Sequence, residues 1–286
     1  MKYFYSIGLF LLFLILCTKF IEFNYKQDVQ NIDLNQNPIE NIIVDFDDAN
    51  VTVSTTVDND IKIEHIYSEE NNPTSNIYTY QEGETLYVSE YSYNRSNLIT
   101  KKETVNIYIP EQAKINSLKI VNISGQSSVD GLIANDINIQ STTGNVDVSN
   151  IDTANLIVDG DHFGVSISNS IIKTLSSNIG KTQFNVTNTI ANNVALTNTE
   201  KATLNIAKLV TDSVILNGPQ TNVNLNLNEE IDYALNTTAS IKNEKLTKTE
   251  TGYEYRANNQ KSITEYQLNT ERIITVEFEA IGEGKK

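Results

Sequence analysis

"INIQSTTGNVDVSNIDTAN", residues 137–155, holds two short runs of alternating apolar and polar residues with Gly144 between them. No side chain in the stretch is equipped for obvious chemistry. A lone hairpin and one turn of a repeat both fit it, and the sequence on either side decides between them.

Aligned on this stretch, units begin at Leu118, Ile137, Leu156, Leu175, Val194 and Val214, at spacings of 19, 19, 19, 19 and 20 residues. Their third position reads Ile120, Ile139, Val158, Ser177, Leu196 and Leu216. Position 12 reads Val129, Val148, Ile167 and Val186, then Ile206 and Leu225 once the fifth unit is given one extra residue. Under the same shift, position 10 reads Ser127, Val146, Val165, Phe184, Leu204 and Val223. A hairpin does not reproduce its apolar positions six times, so the pattern reads as a solenoid. The predicted fold is all-β: a single-chain parallel β-solenoid, β-helix-like, of about 19–20-residue coils, preceded by an N-terminal hydrophobic helix.

One unit cannot bury its apolar edge alone, but stacking at about 4.8 Å gives each strand a parallel neighbour above and below. Six units then rise about 29 Å, with Ile, Val and Leu forming ladders inside the coil. Gly125, Gly144, Gly164 and Gly180 read as turn residues between the two strands of a unit. Asn150, Asn169 and Asn188 share one position in three consecutive units. Such a column hydrogen-bonds amide to amide along a stack, and a chain this rich in Asn also produces one by chance.

With 286 residues, 39% hydrophobic and 20% charged, the chain has ample material for a core. The net charge of −15, from 21 basic and 36 acidic residues, is spread along the chain and repels phosphate backbones, so nucleic acid is excluded as a partner. Cys17 is the only cysteine, so no intramolecular disulfide forms.

Residues 1–22 open with Lys2 and an apolar run from Tyr3 to Cys17, interrupted by Ser6 and Gly8. This is a membrane anchor or signal segment. Lys19, Phe20, Ile21 and Glu22 follow where a small-residue cleavage site belongs. An uncleaved single-pass anchor is therefore the favoured reading, with the bulk of the chain outside a bacterial cytoplasm; secretion after cleavage is the alternative. Residues 23–39 read as a spacer, 40–113 as irregular β coils, 114–228 as the regular repeats and 229–286 as a charged β cap. Within the irregular coils, Val51, Val53, Ile61 and Ile63 are the expected inward residues.

The succession "NVTVSTTVDNDIKIEHIY", "EGETLYVS", "VNIYIPEQAKINSLKIVNISG" and "INIQSTTGNVDVSN" resembles the bacterial putative-adhesin family of envelope β-solenoid proteins, a domain of unknown function. The resemblance covers roughly residues 40–286, and "TTGNVDV" is its clearest match to the family's repeated glycine signature. It implies a solenoid of near-20-residue units and an envelope location. It supplies no catalytic or binding residues.

No Ser–His–Asp order, zinc-ligand spacing or phosphate loop is present, and no cofactor is implied. The most catalytic-looking feature is an acidic patch of Asp147, Asp159 and Asp161 near His162, which also reads as ordinary acidic turns. Asp45, Asp47, Asp48, Asp58, Asn59 and Asp60 offer oxygen ligands without matching a calcium loop, so no metal site is predicted. The outward positions 11 and 13 form a row of small polar groups, among them Ser128, Asp147, Ser166 and Asn185. Tyr78, Tyr80, Tyr87, Tyr91 and Tyr93 form the candidate binding surface, since tyrosine buries a ring while its hydroxyl stays wet.

The expected function is a non-catalytic, membrane-tethered envelope scaffold or adhesin. Its partners are the membrane, through the N-terminal segment, and an envelope glycan, a protein or another copy of itself. The alternatives are a signalling accessory to an envelope-stress sensor and, less favoured, a polysaccharide-active enzyme.

Overall fold

The computed structural model describes residues 25–34, 38–68, 77–90, 103–257 and 263–279. In chain order the first strands are β1 (Tyr25–Asp33), β2 (Asn41–Thr56), β3 (Asp60–Ser68), β4 (Ile77–Glu82), β5 (Thr85–Glu90) and β6 (Glu103–Pro110). The long coils are β7 (Ile115–Asp130), β8 (Ile133–Ser149), β9 (Asp152–Ser168) and β10 (Ile171–Asn198). Shorter segments continue them as β11 (Ala202–Val210), β12 (Ser213–Asn217) and β13 (Thr221–Asn228). The chain closes with β14 (Asp232–Asn236), β15 (Thr247–Lys248), β16 (Gly252–Tyr255), β17 (Ile263–Asn269) and β18 (Ile274–Glu279). All belong to one hydrogen-bonded sheet, and the described residues contain no helix. The hydrophobic segment predicted as helix and anchor lies outside the described residues.

The repeated apolar positions become the inside of a solenoid-like stack. Val129, Val148, Ile167, Val186, Ile206 and Leu225 stand one on the next in parallel register. Ser127, Val146, Val165, Phe184, Leu204 and Val223 do the same two residues earlier. All of these are buried. The offset is 19 where Gln183 faces Gly164 and 20 where Thr203 faces Gln183, and the bend Thr199–Lys201 lies just ahead of that second pairing. The extra residue of the fifth unit is absorbed there.

Two of the glycines read as turn residues do stack, Gly125 on Gly144, but both lie within continuous bent strands. Gly164 and Gly180 do not join them, because Gly144 faces Phe163 and Gly164 faces Asn145 and Gln183. The other corner of each coil is sharper. Gly131, Asn150, Asn169, Asn188 and Lys208 all have φ between 47° and 75°. Asn150 and Asn169 donate their N–H groups to Ser168 O and Thr187 O of the following coil. A left-handed corner favours Gly and Asn, which accounts for the asparagine column by backbone conformation. Asn150 Nδ2 donates to Asp130 Oδ1 at 2.6 Å, while an amide-to-amide chain runs on another column, from Asn224 to Asn205 to Asn185 at 2.7 Å per step.

Both ends of the stack are built by chain that returns. Coil β2 lies directly on β7, with Val44 on Ile120 and Val53 on Val129, although β3 to β6 intervene in sequence. Strands β5 and β6 pair in parallel with the other edge of β2, and β4 and β3 cover those strands antiparallel. Val51, Val53, Ile61 and Ile63 are buried, as their alternation predicts. The stretch read as a featureless spacer holds β1, which runs antiparallel along the outer edge of β3 from Tyr25 to Asp33. Its alternation is broken by Asp28 and Asn31, which conceals the strand in sequence.

At the far end, the region read as a cap contributes a full coil. Leu268 of β17 stands on Leu216, and Val276 of β18 on Leu225. Strand β14 then covers the free edge of β17, and the β15–β16 hairpin covers β14.

Candidate functional site

The segment "IYTYQEGETLYVSE", residues 77–90, places side chains alternately on two faces of a hairpin, with Gly83 in the turn at φ 58°. Leu86 and Val88 point into the core and are buried. Tyr80 and Tyr87 are directly opposed across the hairpin, and their rings stack at 4.4 Å with planes 2° apart. Tyr78 adds a third ring, 5.2 Å from Tyr80. Tyr78 and Tyr80 remain 52% and 39% exposed, so the cluster forms a surface platform. Partial burial beside Tyr87, Glu82 and Tyr78 holds the Tyr80 hydroxyl above the ordinary phenol range, so it stays a neutral donor. Tyr87 continues onto the outer side of the stack through Ile43 and Lys119. The structure thus brings Tyr78, Tyr80 and Tyr87 together; Tyr91 and Tyr93 lie outside the described residues.

The acidic candidates fall on separate columns. Asp147 stands between Ser128 and Ser166 and accepts from Gln126 Nε2 at 2.7 Å. Asp159 stands between Gln140 and Asn178 and accepts the Asn178 N–H at 2.8 Å. Asp161 lies at the next bend, beside His162, whose Nε2 is 3.5 Å from an exposed Glu200 carboxylate. Asn59 accepts from Gln112 Nε2 at 3.0 Å in the Asp58–Asp60 turn. Among the described residues, no three His, Cys, Asp or Glu side chains converge to hold a metal ion.

Two features escaped the sequence. Buried His65 and Glu103 pair at 2.9 Å between β3 and β6, next to Glu64, which accepts from Tyr108 Oη at 3.0 Å. Lys62 and Tyr108 hold the Glu64 carboxyl below its ordinary range. The second feature is a shallow groove of about 450 Å³ on the outer side of the last coils, lined by Ser166, Asn185, Asn205, Asn224 and Thr275. A periodicity search finds neither, because one joins distant strands and the other uses residues that a solvated strand face also selects.

The family model of Toastrack DUF4097 matches residues 39–279, the stretch that forms the stack and both of its closed ends. This chain belongs to that family. Among solved structures, the Toastrack chain is similar to a putative adhesin from Bacteroides fragilis, at 14% identity and a TM-score of 0.51, covering 89% of this chain and 97% of that one. It is also similar to a putative lipid binding protein from Parabacteroides distasonis, at 11% identity and a TM-score of 0.49, covering 88% and 96%. A putative cell adhesion protein from Clostridium sporogenes matches at 15% identity and a TM-score of 0.35, covering 90% and 100%. The likeness to the Bacteroides fragilis protein concerns the fold alone. A search of the curated proteins finds no match. The resemblance to the putative-adhesin family is thereby borne out.

Proposed function

We propose that this Toastrack protein is a non-catalytic, adhesin-like scaffold of the bacterial envelope, a rigid parallel β-solenoid held to the membrane by residues 1–22. The observation that carries the reading is the Tyr78–Tyr80–Tyr87 platform: three clustered rings on an outer surface. Exposed, mutually packed tyrosines supply rigid contact area at little conformational cost. Strand β1 begins at Tyr25, only a few residues after the hydrophobic run, so a tethered chain presents the β1-to-β6 end to the membrane. From β2 to β18 the stack then projects about 34 Å outward at about 4.8 Å per coil.

The placement of the platform at the tethered end favours a second reading, in which its partner is a membrane protein and the chain a signalling accessory. Full-length protein in detergent, offered cell-wall polysaccharide and solubilised membrane protein side by side, separates the two. Retention on polysaccharide that is lost in Tyr78→Ala and Tyr80→Ala supports the adhesin. Recovery of one membrane protein, lost in the same variants, supports the accessory. Binding that ignores both substitutions removes the platform from either role.

A further inference from the structure

Four aliphatic side chains that the core does not use fall into one column. Ile133 stands on Asp152, Asp152 on Ile171, and Ile190 on Val210. The step from Ile171 to Ile190 repeats the same backbone pattern: the N–H groups of Asp152, Ile171 and Ile190 donate to Leu132 O, Ile151 O and Ser170 O in turn. Each of the column's residues has buried neighbours on both sides in sequence, as Ile171 has Ser170 and Ile172, so its own side chain points outward. Ile133, Ile171, Ile190 and Val210 are 66%, 52%, 46% and 52% exposed.

A single exposed isoleucine is ordinary; a column of four exposed aliphatic residues about 19 Å long, interrupted only by Asp152, is not. β-Propensity alone is served equally well by Thr, which this chain uses freely elsewhere. Beside the Ile133–Asp152–Ile171 half of the ridge runs an open trough of about 830 Å³, lined also by Ala134, Ala154 and Lys173.

We propose that two copies of the chain associate along this ridge, antiparallel about a two-fold axis. In the register that sets Ile171 against Ile190 of the second copy, the trough receives the Ile190–Val210 half of the opposing ridge, twice by symmetry. Charge selects the same register. Between Ile133 and Val210, Asp152 is the only charged residue in the column, and Lys208 lies beside Val210 at the left-handed corner, three coils away. The antiparallel overlay brings each Asp152 to the Lys208 of the other copy. A parallel overlay sets Asp152 against Asp152 and leaves Lys208 against Lys208. Lys208 is available: its neighbour, the Glu279 carboxylate, is 3.9 Å away and both side chains are about half exposed or more.

The tyrosine platform lies on other strands, so this interface succeeds or fails independently of the proposed adhesion. The test is the mass of full-length protein in detergent, by sedimentation or light scattering across a concentration series, with thermal melting to confirm folding. The expected result is a dimer that Ile171→Glu and Ile190→Glu convert to monomer without lowering the melting temperature. Asp152→Lys and Lys208→Glu each weaken dimerisation by about tenfold, and the D152K/K208E double reversal restores it to within about threefold. A wild-type monomer throughout, a dimer indifferent to the isoleucine variants, or a double reversal without recovery overturns the proposal.

Discussion

Val53 stands directly on Val129, although 76 residues separate them, and Ile107 closes its other side. The ladder of the regular repeats therefore continues into β2, and the N-terminal strands are part of one cooperative stack. Val53 is fully buried. Replacing it with Ala removes two methyl groups and leaves a cavity between two ladders, at a cost of about 2 kcal/mol. Urea denaturation checks this. A loss below about 0.5 kcal/mol would mean that β2 is not part of the packed core.

Gly144 is constrained from below. A Cβ at this position would lie 1.9 Å from Gly125 O, and the backbone sits at φ 120°. Gly144→Ala is expected to lower stability by more than about 2 kcal/mol, since both the close approach and the dihedral must relax. Gly180→Ala meets the Asp161 carboxylate tip at 2.8 Å and has no positive φ, so it is expected to cost clearly less. Melting curves of the two variants, compared pairwise, test the difference.

The left-handed corner contains one residue that fits it poorly. Lys208 holds φ 54° in the column otherwise filled by Gly131, Asn150, Asn169 and Asn188. Within one chain, Lys208→Gly relieves a strain of about 1 kcal/mol and forfeits a loose, exposed contact with Glu279. Asn169→Ala, at φ 50°, moves stability by about the same amount in the other direction. Equal melting temperatures for all three proteins would show that the corner relaxes freely.

The regular coils were legible because their partners lie 19 or 20 residues apart, and a fixed spacing is what a repeat search detects. Leu268 stands on Leu216 just as faithfully, but 52 residues on, and no fixed period reaches it. The same blindness hid Glu103 from His65 and left the edge strand β1 looking like a spacer. Gly164 and Gly180 shared a composition with Gly125 and Gly144 but not a column, because a bend permits glycine at more than one position. Tyr80 and Tyr87 lie in a short hairpin whose register follows from its turn, and that register sets the two residues opposite each other.

At the platform, Tyr80 is the central ring, in contact with both Tyr78 and Tyr87. If it anchors a partner, Tyr80→Ala weakens binding by about tenfold or more, the loss typical of a packed aromatic at an interface. Tyr80→Phe keeps the ring and removes only the hydroxyl. Retention of affinity in the Phe variant assigns the contact to stacking; loss in both assigns it to the hydroxyl. Either variant leaves the melting temperature nearly unchanged, because Tyr80 lies outside the core.

The far end of the stack titrates at alkaline pH. Tyr266 is fully buried against Tyr233, and its hydroxyl has no hydrogen-bond partner among the described residues. Burial drives its ionisation far above the ordinary phenol range, with the neighbouring Tyr233 adding to the shift. The folded chain therefore keeps the proton at a pH where the unfolded chain, with a phenol near about 10, releases it. Stability from this residue is intact below about pH 10 and falls as the pH climbs beyond it. Tyr266→Phe removes both the titration and an unpaired buried hydroxyl. Stability at pH 7 is expected to rise by about 1 kcal/mol, and the decline above pH 10 to become shallower. Denaturation at pH 7, 9, 10 and 11 reads both effects. A variant as steep as wild type above pH 10 would assign the alkaline loss to other tyrosines, Tyr233 first, whose hydroxyl is also raised by burial.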